Sequence, residues 1–394
     1  MLKNTPAPTG SQQREQGPMV EDAICDAYLS LPAKLLPLLS EKANSVICPH
    51  GISVVLAMAA EGASEGSLAE ILCALGFESM EDLREAVLAA KTEACPAFTS
   101  ENSLTLMQGK DDMVLLDAFK RVMEESYRAT VSEKAVDSEL SSLELENVAD
   151  FKAKWAYKPK RDASHFRRFY HADGTSSHPA YLSAEAELRC YQGRSPQASA
   201  VALPYRSIPY EMVLVDSEKP LTECELKSML SMMEKSNCKV RFPEFAIENK
   251  HNLIPLMNRI GLTSIFNSYN EAFDRMATEP LYAEAFKQKA KIEVDQEGTV
   301  AQAVTTMLCT KTLCMPRIDV FDFDRPFYYF VRQTKTGEII FMGRVNRLTD
   351  CKRIVTDESE FRPISYVEER RSGGFSEFWK RTSQMNDSEQ EKDK

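Results

Sequence analysis

The stretch Gly62-Ala63-Ser64-Glu65-Gly66 has the Gly-x-Ser-x-Gly spacing with which an esterase holds a nucleophilic serine on a strained strand-to-helix turn beside a backbone oxyanion hole. Its flanks oppose that chemistry. The preceding ISVVLAMAAE carries Ala, Met and Leu at helical spacing and the residues after it open a second helix, so Ser64 reads as a helix cap or a linker residue. His165, His171 and His178 could suggest a metal. They lack the i, i+4 helical spacing and the companion carboxylate of a zinc motif, and read as surface histidines. Neither a Gly-rich phosphate loop nor a dinucleotide fingerprint is present, so the sequence points away from an enzyme and implies no cofactor and no metal.

With 394 residues, 43% of them hydrophobic, the chain can bury a large core as one big domain or two smaller ones. Its net charge of −11 argues against a nucleic-acid partner, because phosphate attraction needs concentrated Lys and Arg. The run KPKRDASHFRR (158–168) is the local exception and reads as solvated surface, with a polyanion patch as the alternative. The N-terminal residues lack the apolar core of a secretory signal, and no apolar run is long enough to cross a membrane. A cytoplasmic location without membrane contact is therefore expected, with unconventional secretion as the alternative. The ten cysteines are scattered without a CxxC pair, which favours reduced thiols.

Residues 1–19, polar and rich in Pro, Gly and Gln, read as a disordered leader, and the charged, Ser-rich residues 349–394 as a mobile tail. Between them, helical periodicity covers AICDAYLSLPAKLLPLLSEKA, GISVVLAMAAEGASEGSLAEILCALGF (with Gly76 as its stop) and LLDAFKRVMEESY. From about residue 142 the pattern turns to strands. VALPYRSIPYEMVLV (201–215) reads as a hairpin, KVRFPEFAIEN (239–249) as one alternating strand, and a helix follows at 252–260 before Gly261. PLYAEAFKQKAKIEV and the two apolar runs around Lys335-Thr336-Gly337 are further strands. Helices first and mainly antiparallel strands later define an α+β fold.

FDFDRPFYYFVRQTKTGEIIFMGRV (321–345) closely resembles the C-terminal signature of the serpins, KVRFPEFAIENKHNLIPLMNRIGLTSIFN (239–267) their strand-then-helix segment, and ELRCYQGRSPQASAVALPYRSIPYEMVLV (187–215) their hairpin. Several motifs in order give the likeness its specificity, and it extends over about residues 20–348. It implies a serpin-like fold with an exposed reactive-centre loop. It also implies a suicide mechanism: a protease cleaves the loop, whose hinge then enters the middle of the main sheet and distorts the acylated enzyme. KIEVDQEGTVAQAVTTMLCTKTLCMP (291–316) falls where that loop belongs.

An inserting strand sends alternate side chains to the core, so its inward set must avoid bulk and charge. Aligning Glu297-Gly298-Thr299 with the family hinge puts Thr299, Ala301, Ala303 and Thr305 inward. All are small and uncharged. The family's hinge length then places the reactive bond between Thr312 and Leu313, with Lys311 as the alternative. Thr suits a shallow specificity pocket and Lys an acidic one. Cys309 and Cys314 flank that bond.

Departures from the family gather where the sheet opens. Cys48 and Gly51 stand at two positions that are usually serine, and Gln288 at one that is usually histidine, while Asn147 and Trp155 match. Changes in a buried polar cluster are expected to alter the barrier to opening. Between Tyr127 and Trp155 the chain is also shorter than the family pattern by roughly thirty residues, beyond ordinary loop variation. The lost stretch is where serpins carry a helix across the main sheet. In LELENVADF, Leu143, Leu145, Asn147, Ala149 and Phe151 share one face and Glu144, Glu146 and Asp150 the other, which implies an uncovered sheet face. The expected function is suicide inhibition of a serine protease, with a cysteine protease as the second target class, by a chain that is monomeric when active. The alternative is a non-inhibitory binding, carrier or chaperone-like serpin.

Overall fold

The computed structural model describes residues 18–92, 95–111, 113–161, 167–270, 272–279, 281–297 and 318–350. Apart from residues 18–19 and 349–350, the leader and tail lie outside them. Helices come first: α1 (Pro18–Leu35), then, after strand β1 (Ser45–Ile47), α2 (Pro49–Glu61), α3 (Glu65–Leu75) and α4 (Met80–Thr92). Next are β2 (Phe98–Gln108), α5 (Asp117–Glu125), β3 (Thr130–Ala135) and β4 (Ser142–Phe151). Short strands β5 (Lys160–Arg161), β6 (Phe169–Tyr170) and β7 (Ser176–Ser177) lead to β8 (Tyr181–Arg194), β9 (Gln197–Pro204) and β10 (Tyr210–Asp216). The chain continues through α6 (Glu223–Ser231), β11 (Glu234–Pro243), β12 (Phe245–Asn252), α7 (Ile254–Arg259) and β13 (Ala283–Val294), and ends in β14 (Asp319–Asp322), β15 (Phe327–Gln333) and β16 (Ile339–Val345).

The strands form a nine-stranded sheet in the order β1-β16-β15-β10-β9-β8-β11-β14, with β5 attached to β8. A five-stranded sheet has the order β12-β13-β4-β2-β3. Strands β10, β15 and β16 read as nearly unbroken apolar runs because both their faces are buried. One apolar core lies among the helices and includes Ile52, Val55, Leu104, Leu145 and Phe286. A second includes Ala149, Phe151, Ala290 and Ile292 of the smaller sheet and Leu214, Tyr329 and Phe341 of the larger. The α+β architecture is as the sequence implies.

Local chemistry sets several boundaries. Gly76 ends α3 at φ +83° and donates its N–H to Leu72 O at 2.8 Å, a left-handed cap that a side chain would strain. Ser64 is the N-cap residue of α3, with its hydroxyl 3.3 Å from that of Ser67, and not a nucleophile on a strand-to-helix turn.

Three expectations need correction. Strand structure begins at Ser45, well before residue 142, because β1, β2 and β3 precede β4. The stretch 239–249 is not one strand: the chain breaks at Glu244, leaving β11 in the larger sheet and β12 in the smaller. Phe242 and Phe245, on either side of the break, enter the same core, so the alternation continues while the sheet changes. His171 is buried and not at the surface, its ring nitrogens 2.8 Å from Thr175 Oγ1 and 2.9 Å from Ser177 Oγ. His178 is exposed, His165 lies outside the described residues, and no metal-binding cluster occurs among the described residues.

Candidate functional site

At the middle of the five-stranded sheet, β4 and β13 run parallel, in register from Phe286 opposite Leu145 to Ile292 opposite Phe151. The other neighbour of β4 is the antiparallel β2, and that of β13 the antiparallel β12. This parallel pair is a seam, and β13 leads through Asp295–Glu297 into the hinge and loop.

Beneath the seam, the amide of Gln288 bridges three elements. Its Nε2 donates to Asn147 Oδ1 on β4 at 2.8 Å and to Cys48 O before α2 at 2.9 Å, and its Oε1 accepts from Cys48 N at 3.0 Å. Asn147 in turn donates to Ser100 Oγ at 3.0 Å and Asn102 Oδ1 at 2.8 Å on β2. Both amide side chains are fully engaged and at most 1% exposed. Asn147 needs Gly51: a β-carbon at position 51 would lie 2.2 Å from Asn147 Oδ1. Cys48 caps α2 by accepting the Gly51 N–H on its sulfur at 3.3 Å, and burial raises its thiol to about 12. Cys48, Gly51, Asn147 and Gln288 thus form one satisfied cluster, rebuilt around a glycine and an amide.

Trp155 stands where β13 ends. Its Nε1–H donates to Asp295 O at 3.0 Å, and its ring stacks on Tyr205 at 4.8 Å. Nearby, Lys158 is ion-paired with Glu297. Burial, followed by the neighbouring carboxylates Glu244, Glu293 and Glu297, raises the Asp295 carboxyl despite the Glu297 N–H it accepts. Two further cations of the basic run are paired: Arg161 binds Glu244 at 3.0 Å and Arg167 binds Asp322.

Of the hinge residues, Glu297 is described, three residues beyond the end of β13. Gly298, Thr299, Ala301, Ala303 and Thr305, together with Lys311, Thr312 and Leu313, lie outside the described residues. The sequence reading missed Ser100 and Asn102, whose oxygens accept the Asn147 amide N–H groups. Their signal is polar residues at the positions of β2 that face the core.

The opposite face of the seam is polar. Glu144, Glu146 and Asp150 are half-buried and Val148 is 37% exposed, as the alternation in β4 implies. Between Tyr127 and Trp155 the chain forms only β3, β4 and their connections, with no helix to cross the sheet.

In the five-stranded sheet the parallel strands β4 and β13 lie side by side, and the hinge segment follows Glu297 in the sequence. The family model described as "Serpin (serine protease inhibitor)" matches residues 30–141 and 130–348, and the chain belongs to the serpin family. The two matched pieces meet within the shortened interval. Iripin-2 of Ixodes ricinus is 26% identical over 360 residues, covering 80% of this chain and 90% of its own. Glia-derived nexin of Homo sapiens is 26% identical over 351 residues, 77% of this chain and 87% of its own. The crystal structure of human thyroxine-binding globulin superposes with a TM-score of 0.69 at 17% identity, over 84% of this chain and 100% of its own, a likeness of fold.

Proposed function

We propose that this serpin is a suicide inhibitor of serine proteases, with a cysteine protease as the second target class, and that it acts as a monomer and catalyses nothing itself. The observation that carries the reading is the parallel seam between β4 and β13, the strand that the hinge segment follows in the sequence. A strand folded back from the end of β13 would run antiparallel to both lips, so one parallel ladder would give way to two antiparallel ones. About ten inserted residues would add on the order of ten backbone hydrogen bonds, each contributing roughly 0.5–1.5 kcal/mol. The small, uncharged side chains of Thr299, Ala301, Ala303 and Thr305 support the same reading. In it, the reactive bond joins Thr312 to Leu313, with cleavage after Lys311 as the alternative.

A second reading, a non-inhibitory binding protein, is favoured by the likeness to thyroxine-binding globulin. Two cavities among the described residues, of about 20 and 10 Å³, are of the size of a water and too small for a hormone. Incubation with trypsin-like, elastase-like and papain-like proteases, followed by a denaturing gel, separates the two. A covalent band at the summed mass supports inhibition. Clean loop cleavage without that band overturns it in favour of the binding protein. Mass spectrometry of the cleaved loop assigns the bond: a cut after Thr312 fits a shallow pocket, and one after Lys311 a trypsin-like partner.

A further inference from the structure

The β4–β13 seam has different chemistry on its two faces. The core side holds the Gln288–Asn147 hydrogen bond among apolar neighbours. On the open side, β13 presents Lys287, Lys289 and Lys291, and β4 presents Glu144, Glu146 and Asp150. Lys287 is ion-paired with Glu144 across the seam. In the strand register Lys287 also stands opposite Glu146, and Lys291 opposite Asp150. Along the joint a column of lysines thus stands beside a column of acids, with Lys287–Glu144 an ion pair that crosses it, while Lys291 lies 3.7 Å from Glu293 and Asp150 3.5 Å from Lys152 on their own strand sides. On the other side of β13, Lys289 is paired at 3.2 Å with Glu248 of β12.

We propose that these two columns form an electrostatic latch that holds the seam shut where no helix covers it, so that ionic strength sets how readily β4 and β13 part. The physical basis is ordinary. Neighbouring parallel strands lie about 4.8 Å apart, within reach of Lys and Glu side chains, and parting them breaks every cross-seam attraction together. Exposed pairs are individually weak and screened by salt, so the latch is a modest, tunable barrier. The inference rests on the seam alone and stands whether or not the protein inhibits a protease.

Hydrogen exchange of the full chain at residues 143–151 and 285–292 tests it. Raising NaCl from about 20 to about 500 mM, which shortens the Debye length several-fold, should speed exchange at these amides about two- to fivefold. At low salt, Glu144→Gln should reproduce that increase and Glu248→Gln should leave it absent, although each removes one carboxylate bound to a β13 lysine. Lys287→Gln should speed exchange at least as much as Glu144→Gln, because Lys287 is paired with Glu144 and also stands opposite Glu146. Exchange that ignores salt, or that responds equally to Glu144→Gln and Glu248→Gln, overturns the latch.

Discussion

The Gln288 amide donates to Asn147 Oδ1 at 2.8 Å across the parallel seam, and through Cys48 it is also tied to the start of α2. A strand entering the seam must separate β4 from β13, and this hydrogen bond on the core side must then break. In serpins generally the resemblance places a histidine at position 288. Here an amide does the bridging with one acceptor and two donated hydrogen bonds, and it carries no charge at any physiological pH.

Replacement of Gln288 by Leu should be costly for that reason. It removes the partners of Cys48 N, Cys48 O and Asn147 Oδ1 in a buried setting, and a buried polar group left unsatisfied costs about 1–3 kcal/mol. A loss of at least about 2 kcal/mol of stability is expected in urea titration. An unchanged midpoint would mean that the bridge contributes nothing net.

Gly51→Ser restores the residue that the family pattern carries, yet it should destabilise this chain, because a β-carbon there would meet the Asn147 amide at 2.2 Å. Overpacking of this kind costs about 1–3 kcal/mol. Adding Asn147→Ala should recover part of that loss, since neighbours sharing one space are coupled. Additive losses in the double mutant would refute the close approach as the cause.

These residues also mark how far the sequence was legible. The hairpin 201–215 was readable as two apolar runs around a Ser-Ile-Pro turn, the Gly76 stop as a glycine closing an apolar helical pattern, and β4 from the difference in burial between its two faces. Strand β2 was not. Its core face holds Ser100 and Asn102, which bind Asn147, so the apolar alternation that announces a strand is blank over half its length. The break at Glu244 was hidden for the converse reason, that the pattern stays regular while the chain changes sheets. The altered cluster was visible as three changed residue types, but that Gly51 makes room for Asn147 is a matter of distances between segments far apart in the chain.

Thiol reactivity should follow burial. The Cys48 thiol, held at about 12 chiefly by burial, should resist alkylation in the native protein at pH 8, whereas Cys73 and Cys224 are exposed and should react at once. Mass spectrometry of protein alkylated before and after denaturation checks this. Native labelling of Cys48 at the rate of Cys73 would show that the start of α2 opens readily.

His251 on β12 provides a pH dependence whose sign can be worked out. Burial lowers its pKa below the ordinary 6.5, although its Nε2 lies 2.8 Å from Val46 O, a contact that favours the protonated form. The unfolded chain therefore takes up this proton first as pH falls, and the unfolded state binds more protons through the interval between the two values. Stability from His251 is full above the unfolded pKa and declines as pH drops from about 6.5 toward the folded value. Carboxylates titrate in part of the same range, so the comparison must be between variants. In His251→Gln the side chain keeps an N–H for Val46 O and loses the titration. Its urea midpoint should fall less than that of the wild type between pH 7 and pH 5.5, and two parallel curves would mean that the histidine charges without cost where it sits.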